Sequence, residues 1–263
     1  MIMGFQGAIF DVDGVLVDTP HYAAWREALS ELMDGEWADI RGQTTYSPER
    51  FTADVYQQVV AGRPRLDGAR AALEYFGVPD ADRRAERYAA VKQDHMTRLI
   101  TSGQFKAYPD ALRFVLAVKV AGIRVAAASS SKNADLIMDH IRLDTFAAGQ
   151  HLDNPLIRPG LTLRGLLDDD VSGRDLPRGK PDPLIFLTAA GELGAPPAGC
   201  FVIEDAGAGV QAAKAGGMAA LGVDRVGEPD VLRSAGADLV VTTLDEVSRE
   251  ALADGRLARR EAS

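Results

Sequence analysis

Short apolar runs that stop at polar, small or acidic residues recur along the chain. Ala8-Ile9-Phe10 stops at Asp11, Ile123 to Ala128 stops at Ser129-Ser130-Ser131, and Phe201-Val202-Ile203 stops at Glu204-Asp205. Ala219 to Val223 and Asp238 to Val241 supply two more runs of the same kind. Runs this short, bounded by turn residues, predict buried strands. Amphipathic segments at helical spacing separate them, over Pro109–Ala121, Ala134–Ile141, Pro183–Leu193 and Ala208–Ala215. Alternating strands and helices predict an α/β fold, a doubly wound parallel sheet with helices on both faces. In such a sheet the strands' C-terminal loops gather at one edge, where ligands bind. Asp11, Ser129, Glu204 and Asp205 are therefore expected to be neighbours.

The rhythm breaks between His21 and Ser102, where helical patterns follow one another without a strand: Tyr22–Met33, Phe51–Ala61, Ala69–Phe76 and Ala81–Ile100. The expected organisation is an α/β core of residues 1–20 and 103–263 with a helical cap at 21–102, inserted after the first strand's loop and lying over the active edge. Gly149 to Gly179, with Asp168-Asp169-Asp170, has little periodicity and reads as a surface excursion. The charged tail from about Glu246 reads as one helix followed by fraying residues.

The 263 residues carry a net charge of −9, which leaves no basic excess for nucleic acid as the main partner. Cys200 is the single cysteine, so neither an intramolecular disulfide nor a multi-cysteine zinc site can form within one chain; it reads as a buried strand thiol. Met1 to Phe10 lacks the pattern of a secretory signal, and charges interrupt the longest apolar stretch, so no membrane span is expected. These features set the expectations of a cytoplasmic location and no membrane partner; a monomer or weak homo-oligomer is expected alongside them.

The chemistry begins at Phe10-Asp11-Val12-Asp13-Gly14-Val15-Leu16-Val17-Asp18-Thr19. Two carboxylates two residues apart beyond a buried strand repel each other unless a cation joins them. A divalent metal removes that penalty and screens an incoming phosphate. Asp11 can then be a nucleophile that forms an aspartyl-phosphate, and Asp13 a general acid and base. A solvated acidic turn capping a helix is the plain alternative.

This segment resembles the Asp-x-Asp-Gly-x-x-x-Asp signature of the haloacid dehalogenase superfamily, and further motifs follow in that family's order. The resemblance implies that Ser129 holds the transferring phosphoryl group and that Lys180, in Gly179-Lys180-Pro181-Asp182-Pro183, stabilises charge on nucleophile and phosphate. Glu204-Asp205 is the implied acidic metal-binding pair, so that Asp11, Glu204 and Asp205 bind Mg2+ and Asp13 adds its main-chain carbonyl. Taken one by one, Ser129 and Glu204-Asp205 could cap helices and Lys180 could be a surface residue; their joint order carries the reading.

Within the superfamily the chain looks most like the β-phosphoglucomutase group with a helical cap. Ser129-Ser130-Ser131-Lys132-Asn133 resembles that group's Ser-x-Ser-Lys-Asn loop, which implies substrate contacts for Ser130, Ser131, Lys132 and Asn133. Thr19, His21 and Trp25 match hinge and cap-entry residues, and Lys92 a cap lysine. The group's cap carries a Gly-x-x-Arg segment, whereas this chain has Gly42-Gln43-Thr44-Thr45, with Arg41, Arg50 and Arg65 as possible substitutes. The implied activity is Mg2+-dependent phosphoryl transfer on a small sugar phosphate. The missing arginine favours a phosphatase, and a β-phosphoglucomutase-type mutase is the alternative.

Gly207-x-Gly209-x-x-Ala212, followed by Asp224, also imitates a dinucleotide fingerprint, but the acidic pair in front of it would repel a pyrophosphate. A non-catalytic binding module on the same fold is the remaining alternative.

Overall fold

A computed structural model describes residues 4–60, 63 and 65–261. The chain divides into two compact units, one formed by Met1–Thr19 with Lys106–Ser263 and the other by Pro20–Phe105.

The first unit is built on strands β1 (Gly7–Phe10), β4 (Arg124–Ala127), β5 (Asp169–Asp170), β6 (Cys200–Glu204), β7 (Ala219–Val223) and β8 (Leu239–Val241), in the order β5-β4-β1-β6-β7-β8. Every pairing in this sheet is parallel. β2 (Val17–Asp18) and β3 (Lys106–Ala107) form a separate antiparallel pair. Helices α5 (Pro109–Val120), α6 (Ala134–His140), α7 (Leu143–Gly149), α8 (Leu184–Glu192), α9 (Gly207–Ala215), α10 (Pro229–Ser234) and α11 (Arg249–Ala253) complete the unit.

Strand alternation divides the core between the two faces. Ile9, Ala126, Val202 and Ala220 pack with Ile185 and Phe186 of α8 and Val210 of α9. Phe10 turns the other way, where its ring lies 6.1 Å from Phe114 of α5, which in turn lies 6.5 Å from Phe201. Both faces are therefore covered, and the α/β doubly wound fold is as the alternation implied. The reversal at β1 decides where chemistry can occur: β1 has β4 on one side and β6 on the other, and the chain runs outward from β4 to β5 on one side and from β6 to β7 and β8 on the other.

Two expectations fail. The Gly149–Gly179 excursion adds a strand to the sheet: Asp169 and Asp170 pair with Ala126 and Ala127. Its acidic residues hid it from a hydropathy reading, because their carboxylates serve as local acceptors and ion partners. Asp168 accepts the Val125 amide at 2.7 Å, and Asp170 accepts the Arg164 guanidinium at 3.2 Å. Through Glu261, the last described residue, the tail likewise does not fray. Ala258 accepts the Ser248 amide at 2.9 Å, and the Arg259 guanidinium donates to the Val240 carbonyl at 2.7 Å.

The second unit holds α1 (His21–Asp34), α2 (Ala53–Val59), α3 (Arg65–Tyr75) and α4 (Ala81–Thr101), with no strand among its described residues. The expectation for Phe51–Ala61 ends on Ala61, outside the described residues, and the helix there covers Ala53–Val59 with Thr52 Oγ1 accepting the Val55 amide. Aromatic residues fix the packing. Trp25 and Tyr88 meet at 5.0 Å, and the buried Tyr88 hydroxyl donates to the Trp25 carbonyl at 2.8 Å. Tyr46, Phe51 and Phe76 form a second nucleus.

Candidate active site

The site grows from three strand ends. Asp11 follows β1, with its amide donating to the Ile203 carbonyl at 3.0 Å. β6 runs beside β1 in register Phe10↔Ile203, so Glu204 and Asp205 emerge level with Asp11. Oxygens of Asp11, Glu204 and Asp205 lie within 4.8 Å of one another. Lys180 reaches into this group, its Nζ 2.6 Å from Asp11 Oδ1 and 2.6 Å from Glu204 Oε1.

Burial governs the electrostatics. Burial raises the Asp11 carboxyl well above its ordinary value; Lys180 opposes this, and Glu204, Asp205 and Asp13 reinforce it. Asp205 is pushed up to about 7, first by burial and then by Glu204. Burial alone would lower the Lys180 ammonium, but Asp11 and Glu204 hold it above its ordinary value. One lysine thus faces three carboxylates, leaving an excess of negative charge that a cation would relieve. An all-oxygen carboxylate set at this spacing fits a hard divalent ion.

Two glycines make room for these acids. Gly14 has a positive φ of 80°, which favours glycine, and a Cβ there would run into the Asp205 carboxylate. A Cβ on Gly209 would run into the Glu204 carboxylate, which also accepts the amides of Asp205 and Ala206 at 3.1 Å. Gly209 is therefore explained without a dinucleotide: the protein's own carboxylate lies across the start of α9. Asp224, the other part of that imitation, accepts the amides of Val226, Gly227 and Glu228. Gly209→Ala reverses the usual helix gain: instead of rising, stability falls by about 1–3 kcal/mol from overpacking. Thermal unfolding in metal-free buffer measures this, and a stabilised variant would contradict the packing.

β4, on the other side of β1, delivers the Ser129 loop. Ser129 is buried; its Oγ accepts the Ser131 amide at 3.1 Å, and its own amide donates to Ser172 Oγ at 3.3 Å. Ser131 Oγ accepts the Asn133 amide at 3.3 Å, Asn133 is buried, and Ser130 and Lys132 are exposed, the latter paired with Asp175 at 2.5 Å. Asp13 makes an isolated bridge to Val17, and Thr19 closes the first unit's opening segment. In the second unit, His21, Trp25 and Lys92 come together although 71 positions separate His21 from Lys92. Lys92 is buried, with Nζ 3.3 Å from His21 Nδ1 and 5.3 Å from the Trp25 ring centre. Arg41 pairs with Asp34, Arg50 donates to the Thr45 carbonyl at 2.9 Å, and Arg65 opens α3 exposed.

Sequence reasoning missed Ser172, which returns from the excursion to brace Ser129. It also missed Arg225, which grips the loop after Asp13, and Asp110, which holds Arg225. Arg225 could have been found by the rule that selected Asp11, since it stands two residues past the end of β7.

A family model for haloacid dehalogenase-like hydrolases matches residues 5–217. The chain belongs to that family of enzymes. It is 34% identical over 257 residues to a β-phosphoglucomutase from Mycobacterium bovis, covering 92% of this chain and 91% of that protein. It is 30% identical over 253 residues to a β-phosphoglucomutase from Bacillus subtilis, covering 94% and 93%. Among solved structures, a β-phosphoglucomutase from Pyrococcus sp. strain ST 04 matches with a TM-score of 0.67 and 29% identity, covering 94% of this chain and 96% of that one. These matches span nearly the whole chain. No helix among the described residues is long and apolar enough to cross a membrane.

Proposed function

We propose that this enzyme transfers phosphoryl groups of a small sugar phosphate through Asp11, with Mg2+ held by Asp11, Glu204 and Asp205 and by the Asp13 carbonyl. The observation that carries the reading is the single Lys180 ammonium shared at 2.6 Å by Asp11 and Glu204. It leaves Asp11 a buried carboxylate whose charge is balanced from one side only. The metal, when bound, supplies positive charge opposite the substrate phosphate and lowers the repulsion between that phosphate and Asp11.

In this mechanism an Asp11 carboxylate oxygen attacks phosphorus as the bond from phosphorus to the sugar oxygen breaks. The Asp13 carboxyl gives its proton to the departing oxygen. Lys180 and the Ser129 hydroxyl hold the phosphoryl oxygens as charge shifts among them. The second half runs in reverse: Asp13 takes the proton of the acceptor hydroxyl as its oxygen attacks the aspartyl-phosphate. In this reading the unit Pro20–Phe105 is the substrate-selecting cap, with His21, Trp25 and Lys92 assigned to substrate binding together with Thr19 and the Ser130–Asn133 segment.

The acceptor distinguishes two readings. Transfer back to a sugar hydroxyl, a mutase reaction, is supported by the similarity of nearly the whole chain to proteins named β-phosphoglucomutase. Transfer to water, a phosphatase reaction, is supported by the absence of an arginine in Gly42-Gln43-Thr44-Thr45. The test is incubation with Mg2+, β-glucose 1-phosphate and a catalytic trace of the 1,6-bisphosphate. Glucose 6-phosphate in place of free phosphate marks the mutase, stoichiometric free phosphate marks the phosphatase, and neither product would remove this substrate class.

A further inference from the structure

Arg225 makes an unusual set of contacts for a residue with no place in the proposed chemistry. Its side chain is 12% exposed. The guanidinium donates to the carbonyls of Gly14 at 3.4 Å and Val15 at 3.3 Å. It also donates to both carboxylate oxygens of Asp110, at 3.0 and 3.3 Å, and lies 4.0 Å from the centre of the Tyr108 ring. Asp110 is fixed in turn: it accepts the Leu244 amide at 2.8 Å and the Thr243 hydroxyl at 3.1 Å. Burial would raise its carboxyl, but Arg225 and these donors hold it below the ordinary value.

The gripped backbone immediately follows Asp13. It is a tight loop in which the Gly14 amide donates to the Val17 carbonyl at 2.7 Å and the Leu16 and Val17 amides donate to the Val12 carbonyl at 2.9 and 3.0 Å. Those bonds shape the loop internally, while its far end is tied to the segment before α5 by the Tyr108 amide, which donates to the Leu16 carbonyl at 3.0 Å, and by the Val17–Ala107 pairing. Gly14 also presses against the Asp205 carboxylate, with no room for a Cβ. A guanidinium that holds the outer carbonyls of this loop therefore fixes how far Gly14, and Asp13 before it, stand from Asp205.

We propose that Arg225 is a positioning residue: seated on Asp110, it clamps the Gly14 and Val15 carbonyls and thereby sets Asp13 and Gly14 against the acidic site. This rests on the phosphoryl-transfer reading for its kinetic consequence but not for its structural one. A planar guanidinium suits the role because its donors point in several fixed directions at once, whereas an ammonium cannot span a carboxylate and two carbonyls in the same geometry.

The test compares Arg225→Gln and Arg225→Lys with the parent enzyme, using p-nitrophenyl phosphate with Mg2+ and amide hydrogen exchange without it. In Arg225→Gln, kcat should fall on the order of 100-fold, the cost of a displaced reacting group, with KM nearly unchanged. The amides of Gly14, Leu16 and Val17 should exchange about tenfold faster or more while those of β1 stay protected. Arg225→Lys should fall between parent and Arg225→Gln in both readouts. If Arg225→Gln does not fold, Asp110→Asn, whose one amide oxygen can still accept from Leu244 and Thr243, should show the same changes in weaker form. Unchanged exchange in the Gly14–Val17 loop would overturn the clamp, as would a loosened loop with undiminished kcat or a loss confined to KM. Were the parent inert toward the aryl phosphate, kcat would be read on β-glucose 1-phosphate with the 1,6-bisphosphate; inertness toward both would remove the functional reading, and the exchange arm would still decide whether Arg225 holds the loop.

Discussion

Asp11→Asn is expected to lower kcat on the order of 10⁵-fold, as removal of a nucleophile does when the residual rate comes only from binding and charge stabilisation. It should do so without destabilising the metal-free protein. Burial and the neighbouring acids raise the Asp11 carboxyl, with Lys180 opposing them only in part. A group whose acid form the fold favours contributes a cost once it is ionised. The amide keeps the shape and an acceptor for Lys180, which retains its contact with Glu204 at 2.6 Å. The measurements are steady-state turnover of p-nitrophenyl phosphate and thermal unfolding in EDTA at pH 8. Turnover near the parent level would remove Asp11 from the chemistry. Loss of turnover together with a large drop in unfolding temperature would show that the carboxylate is held for stability, contrary to the direction of its shift.

The strand-end rule reads chemistry from sequence because buried strands announce themselves by apolar runs, and in a parallel sheet the next residues must surface at one edge. Asp11, Glu204 and Asp205 were legible for that reason, and they do lie together. β5 was not legible, because a two-residue strand of aspartates has no apolar signal and is held by backbone pairing and by partners such as Arg164. His21, Trp25 and Lys92 were singled out only by a family resemblance, since nothing in their spacing joins them; the packing of α1 against α4 puts a buried ammonium beside an imidazole and an indole. Gly209 was misleading in the other direction. Its spacing imitates a nucleotide loop, yet the space it leaves is taken by Glu204. Periodicity reports which face is buried, while the partner of a charged or small residue depends on the tertiary fold.

Lys180→Met tests the charge balance directly, and its expected effect on stability is the largest of any substitution considered. The ammonium is the partner at 2.6 Å of both Asp11 and Glu204, whose side chains are 9% and 2% exposed. Breaking a buried pair from one side costs about 3–5 kcal/mol because a charge is left uncompensated. That loss should appear at pH 8 in EDTA and shrink toward pH 5.5. Asp205 has its folded value at about 7 against an ordinary 3.8. Between those values the folded chain holds a proton that the unfolded chain has released, so stability contributed by this group falls as pH rises through the window. Without Lys180 the carboxyls of Asp11 and Asp205 rise further, so protonation offsets the missing ammonium at pH 5.5 and not at pH 8. Mg2+ should substitute for the proton, stabilising both parent and variant more at pH 8 than at pH 5.5, while kcat of the variant stays down by about 10² to 10³ for want of the fixed positive charge. Unfolding of parent and Lys180→Met at the two pH values, with EDTA and with Mg2+, measures all of this. A stability gap that does not change with pH would mean that Lys180 supports the fold by packing, as its 4.9 Å approach to the Phe186 ring would allow, and not by balancing the three acids.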